Sequence, residues 1–143
     1  MTVKAILDSK GRDVVTIAAD KTLGEAAALL ADRGIGAIVV KSGDDRISGI
    51  LSERDIVRVI AGEGPGALEK PVSAVMTARV KVCREDHTVN EVMQIMTEGR
   101  FRHLPVEKDG RLAGIVSIGD VVKRRIQEVE REAEEIRTYI ATA

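Results

Sequence analysis

An amphipathic rhythm occurs twice in the chain. Leu23, Ala26, Ala27 and Leu30 fall at i, i+3, i+4 and i+7, and Val89, Val92, Met93 and Met96 repeat the spacing. That period predicts a helix with one apolar face turned to a core. Each stripe opens with Thr-x-x-Glu, at Thr22 to Glu25 and at Thr88 to Glu91. This is a capping box, in which Thr and Glu satisfy amides that the first helical turn leaves free. Gly34 and Gly99 stand where a helix C-terminal glycine is expected.

Short apolar runs surround both helices. Ala37 to Val40 and His103 to Val106 predict strands, followed by turns at Ser42-Gly43-Asp44-Asp45 and Lys108-Asp109-Gly110. Asp-Gly is a favoured hairpin pair. Ile47 to Leu51 and Leu112 to Val116 predict the return strands, and Val14 to Ile17 and Val80 to Val82 predict short strands upstream. Each half therefore reads strand, helix, strand, strand, helix, a tandem α/β repeat. Residues 1–62 form the first repeat, 63–71 a linker rich in Gly and Pro, 72–126 the second repeat and 127–143 a helical tail. One half of about 60 residues is near the lower limit for an independent core. Two halves with matching apolar faces can bury their sheets together around a shared cleft.

The strand-to-helix junction is duplicated most closely. GILSERDIV at 49–57 returns as GIVSIGDVV at 114–122. Ser52 and Ser117 are natural helix N-caps, and Asp55 and Asp120 complement the positive helix end. The same groups can serve a ligand. Amides at a helix start suit phosphate, a Ser hydroxyl adds a hydrogen bond, and a carboxylate one turn on can accept both hydroxyls of a ribose diol. The two readings differ in whether each Asp faces its own backbone or an open cleft.

Charge enters here. Arg54 places a cation at the first junction, where the second has Gly119. Arg100, Arg102 and His103, in RFRHLPV, form a basic cluster that can supply phosphate charge or lie solvated on the surface. The net charge of −1 gives no general attraction for nucleic acid or anionic membranes. One Phe, one Tyr and no Trp leave no base-stacking platform. The 44% hydrophobic and 31% charged fractions fit a globular chain. No apolar run reaches membrane-span length and MTVKAILDSKGRD has no signal-peptide core, so a cytoplasmic location is expected.

Two repeats ending in Gly, two apolar residues and Ser-x-x-Asp, together with VMT at 75–77 and RHLPV at 102–106, resemble the CBS domain pair, or Bateman module. The resemblance covers about residues 3–60 and 72–126 and is nearest to stand-alone bacterial CBS-pair signalling proteins. It implies two cleft sites for adenine nucleotides: AMP, ADP, ATP, NAD(H) or S-adenosylmethionine derivatives. Asp55 with Ser52, and Asp120 with Ser117, would hold ribose and phosphate. Thr16 in VVTI matches a residue that meets adenine, and Lys81 in VKV takes the comparable place, a departure from the pattern. Gly36, Ala37, Ile38 and Val39 in one half, and Arg102, His103, Leu104 and Pro105 in the other, would line the base pocket and phosphate path. Without aromatics, adenine would lie between aliphatic side chains such as Ile17, Ile38, Val39 and Leu104.

Ile126, Val129, Ala133, Ile136 and Ile140 form a 3-4-3-4 seam in KRRIQEVEREAEEIRTYI. The seam either folds back on its own module or meets a second subunit; the family resemblance favours a homodimer. No catalytic set is evident. His87 and His103 lack metal-ligand spacing, and Cys83 ends a predicted strand with no base beside it. The resulting expectation is a non-catalytic nucleotide-sensing module acting on a separate effector protein. A ligand-independent dimerisation adaptor is the alternative, and a small nucleotide hydrolase ranks below both.

Overall fold

A computed structural model describes residues 1–142; Ala143, the last residue of the expected tail, lies outside them. The element order is α1 (Val3–Lys10), β1 (Thr16–Ile17), α2 (Leu23–Arg33), β2 (Ala37–Ser42), β3 (Arg46–Ser52), α3 (Glu53–Glu63), α4 (Val89–Gly99), β4 (His103–Lys108), β5 (Arg111–Ser117) and α5 (Ile118–Thr142). The tandem α/β repeat is therefore present, with a helix at its C-terminal end. Strands β1, β2 and β3 form one sheet, with β1 parallel to β2 and β3 antiparallel to it. Strands β4 and β5 form an antiparallel pair.

The predicted caps form. Thr22 accepts from the Glu25 amide and Thr88 from the Glu91 amide, each at 3.1 Å, and both Glu side chains return to the Thr backbone. The Asp-Gly turn also forms, with Asp109 at φ 53° and Gly110 at φ 76°.

Three expectations are corrected. First, residues 80–82 are not a strand. Only Cys83 pairs, in a single parallel bridge to Val106, because the chain reaches β4 one residue beyond the expected run. The first-half strand is likewise confined to Thr16 and Ile17. Second, the left-handed residue ending α4 is Arg100, at φ 55°, not Gly99. Gly99 is the last helical residue, and a Cβ there would collide with the Phe101 ring. Third, register makes Val82, not Lys81, the counterpart of Thr16: Ile17 pairs with Val40 as Cys83 pairs with Val106. Within the expected linker, 63–71, a 3₁₀ turn spans Pro65–Glu69; a second, Val72–Ala74, opens the second repeat, where Val72 is fully buried.

Helix α1 had no counterpart in the sequence reading, and its packing explains the architecture. Val3, Ile6 and Leu7 join a core with Cys83, Val89, Val92, Met96, Leu104, Val106, Val116 and Val121, all from the second repeat. Reciprocally, Val72, Val75 and Met76 pack on the core of Leu23, Leu30, Ile38, Val40, Leu51 and Ile56 from the first. Backbone bonds mirror this exchange. Val3 N–H donates to His87 O at 2.9 Å before α4, and Val72 N–H donates to Lys21 O at 2.7 Å before α2.

The exchange also accounts for the glycine opening each repeated junction. A Cβ at Gly49 would lie 2.7 Å from Met76 Sδ and 2.8 Å from Thr77 O, and one at Gly114 would lie 2.9 Å from Leu7 methyls. In each case a segment from the opposite repeat crosses the strand at that point.

Candidate functional site

The two Ser-x-x-Asp junctions are capping boxes of the same geometry. Ser52 Oγ accepts from Asp55 N–H at 3.2 Å and Asp55 Oδ2 accepts from Ser52 N–H at 2.9 Å. Ser117 and Asp120 repeat both distances. The capping interaction thus exists at both helices. It does not consume the carboxylate of Asp55, whose Oδ1 accepts no hydrogen bond among the described residues.

Asp55 also borders an open cavity of about 430 Å³, within the size range of small-molecule sites. The first repeat contributes Gly36, Ala37, Ile50 and the start of α3; the second contributes residues 77–81 before its core and 99–103 between α4 and β4. The cavity is therefore composite. Its two sides touch at Gly36, where a Cβ would sit 3.2 Å from the His103 ring. The Thr77 N–H donates to Ile50 O at 2.9 Å, and Ile50 N–H returns to Thr77 O at 3.0 Å, fixing the second-repeat segment to β3.

Cations dominate the lining. Arg54, Arg58, Arg79, Lys81, Arg100 and Arg102 face two carboxylates, Glu53 and Asp55. None of these six cations forms a salt bridge among the described residues, whereas lysines and arginines elsewhere, such as Arg12 and Lys70, do. Burial lowers the His103 pKa, with Glu53 opposing more weakly, so the ring is neutral at neutral pH.

The second junction is different. Asp120 Oδ2 accepts from Lys10 Nζ at 2.7 Å as well as from Ser117 N–H, and Lys10 Nζ also donates to Ile115 O at 2.8 Å. Burial pushes the Asp120 pKa up, but Lys10 and the Ser117 amide outweigh it and hold the carboxyl below its usual value. Ser117 and Asp120 border neither this cavity nor the two smaller ones.

Of the residues expected to bind ligand, the cavity gathers Gly36, Ala37, Ser52, Arg54, Asp55, Lys81, Arg102 and His103. Thr16, Ile17 and Pro105 lie outside its lining, and so do Ile38, Val39 and Leu104, which are fully buried. Ile38 and Leu104 point into the two cores, so an aliphatic clamp on adenine built from them is not available in this structure. Arg58, Arg79, Glu53 and Thr77 line the cavity without having been foreseen. Arg58 had a legible signal, because it follows Arg54 by one helical turn.

Cys83 is fully buried and desolvation pushes its thiol up to about 12, which makes it inert at neutral pH. No cluster of His, Cys, Asp or Glu among the described residues is arranged to hold a metal ion. No helix among them is long and apolar enough to cross a membrane.

Two pseudo-equivalent α/β repeats that exchange their leading segments and meet over a cationic cleft define the class of protein. The chain belongs to the CBS domain family, which it matches at residues 3–62 and 72–126. A CBS-domain protein of Agrobacterium tumefaciens, ATU1752, is 53% identical, with a TM-score of 0.85 over 87% of this chain and 99% of that one. The mitochondrial CBS domain-containing protein CBSX3 of Arabidopsis thaliana is 33% identical over 97% of this chain and 71% of its own length. The CBS domain pair of MJ0100, solved in complex with 5′-methylthioadenosine and S-adenosyl-L-methionine, is 25% identical, with a TM-score of 0.79 over 90% of this chain and 98% of that one.

Proposed function

We propose that the chain is a non-catalytic regulatory module that binds an adenine nucleotide in the Asp55 cavity. One observation carries the reading: a carboxylate with one oxygen free and six cations without salt bridges, among the described residues, share one open, composite cavity. Asp55 would take the ribose hydroxyls, the start of α3 and Ser52 would meet the first phosphate, and the arginines would hold further phosphates. The likeness to an MJ0100 pair that binds adenosine derivatives supports the nucleoside half of this assignment. The charge separates the two proteins' ligands. S-adenosylmethionine carries a sulfonium and methylthioadenosine no phosphate, and neither satisfies such a lining.

A ligand here touches both repeats and so favours whichever arrangement closes the cavity. It shifts the protein only through unequal affinity for two arrangements. A homodimer through the exposed seam of α5 is part of the proposal, and the signal then passes to a separate effector protein.

Thermal denaturation with AMP, ADP, ATP, NAD(H), methylthioadenosine and S-adenosylmethionine tests the ligand. The midpoint should rise in the order AMP, ADP, ATP, with NAD(H) also raising it and the two sulfur compounds doing little. Ligand at 100 times its dissociation constant should stabilise by about 2.7 kcal/mol. The gain should shrink with added salt, because exposed charges are screened, and disappear in Asp55→Ala. Equal, salt-independent responses to all six compounds, or none, would sink the reading.

A further inference from the structure

The pseudo-symmetry that builds the Asp55 cavity also specifies what a second site would contain, and at that place the chain has put its own ammonium group. Gly114 meets Leu7 as Gly49 meets Met76, which aligns α1 with residues 72–79 and makes Lys10 the counterpart of Arg79. Arg79 lines the open cavity without a carboxylate partner. Lys10 instead bridges Asp120 Oδ2 and Ile115 O, at 2.7 and 2.8 Å. In the first half, the Ile50 carbonyl that corresponds to Ile115 is bound by the Thr77 backbone, and Asp55 forms no salt bridge among the described residues. Oδ1 accepts no hydrogen bond in either Asp among the described residues, so the difference lies at Oδ2: in Asp120 both its lone pairs are engaged, by Ser117 N–H and Lys10, whose ammonium sits against the carboxylate, and in Asp55 one is.

We infer that Lys10 is a specificity-determining residue: it closes the Asp120 junction to ribose, so that the chain takes one nucleotide, at Asp55. The inference rests on the proposed nucleotide reading. The neighbouring positions agree with it. The places of Arg54, Lys81, Arg100 and Arg102 are taken in the second junction by Gly119, Val15, Gly34 and Gly36, none of them charged. Besides Lys10, only the place of Arg58 keeps a cation, Lys123, which is exposed; the Asp120 junction therefore offers fewer charges to a polyphosphate, and Lys10 is already neutralised by the carboxylate. Removing the ammonium leaves a ribose acceptor suited to a nucleotide of low charge.

AMP is the probe, and isothermal titration together with native mass spectrometry counts the molecules bound per chain. The full chain should bind one AMP and Lys10→Ala two. Adding Asp120→Ala to Lys10→Ala should restore one, as should adding Asp55→Ala. Lys10→Met serves as a second variant that keeps the side-chain bulk near the α1 terminus, and circular dichroism checks that each protein folds. Two AMP bound by the unaltered chain, or one bound by both it and the Lys10 variants, overturns the inference while leaving the nucleotide reading in place. No AMP on the unaltered chain and one on Lys10→Ala, lost with Asp120→Ala, overturns the Asp55 assignment and supports the closure by Lys10. Absence of binding in every protein overturns both.

Discussion

Gly49 and Gly114 occupy the same place in their repeats, yet their surroundings assign them different tolerances. A Cβ at Gly49 would meet a backbone oxygen, Thr77 O, at 2.8 Å, and that oxygen accepts from Ile50 N–H. It cannot retreat without loosening the pair that frames the cavity. The atoms nearest a Cβ at Gly114 are those of the Leu7 side chain, whose methyls can rotate. Overpacking typically costs about 1–3 kcal/mol. Gly49→Ala should fall at the upper end of that range and Gly114→Ala at the lower, as read from urea midpoints at unchanged slope. Equal losses would show that the Thr77 contact does not hold the segment in place. At this scale the sequence was informative about residue type and silent about cause. The repeated Gly, Ser and Asp were visible, but the reason for Gly is a segment more than 25 positions away in the chain. The choice at Asp between capping and ligand binding was equally undecidable from spacing. Asp55 caps α3 through one oxygen, leaves the other without a hydrogen bond among the described residues, and borders the cavity.

Among the elements, those with strong periodicity were legible. Helices α2 and α4 start within a residue of their capping Thr, because the cap and the apolar stripe agree. Helix α1 escaped because its eight residues carry only three buried side chains and its Thr2 makes no side-chain cap. Helix α5 runs unbroken for 25 residues, about 37 Å, with no boundary between repeat and tail. Its seam does not return to its own module: Ile126, Val129, Ile136 and Ile140 are 48–68% exposed. That removes one of the two readings of the seam. A helix pairing along this face in a homodimer should be broken by a charge at its centre, so sedimentation of Ile136→Glu should give a monomer where the unaltered chain gives a dimer. Retention of the dimer by this variant would place the interface away from α5. The melting temperature of the monomeric variant at low concentration should change little, since Ile136 touches neither core.

At the scale of the whole molecule, duplication suggests two halves whose sheets are buried together, whereas the packing builds two separate cores. Each core is completed by a segment that the chain order assigns to the other half. Hydrophobic pattern could reveal two equivalent faces but not which segment covers which, because a swapped and an unswapped arrangement bury the same residues. Leu7 makes the difference measurable. It is fully buried, and it packs among second-repeat residues and against Gly114. Leu7→Ala should cost about 2–5 kcal/mol. In hydrogen exchange its largest loss of protection should fall in α4, β4 and β5, more than 80 residues downstream, while α2, β2 and β3 change less. Protection lost first in α2, β2 and β3 would mean that α1 belongs to its own half. Such a crossed architecture also links the cavity to both cores, since residues 77–81 extend directly from the segment that seals the first core. On the proposed reading, a nucleotide held between Asp55 and Arg79 would pull on the same connection that joins the repeats, which would give ligand binding a mechanical route to the arrangement of the whole.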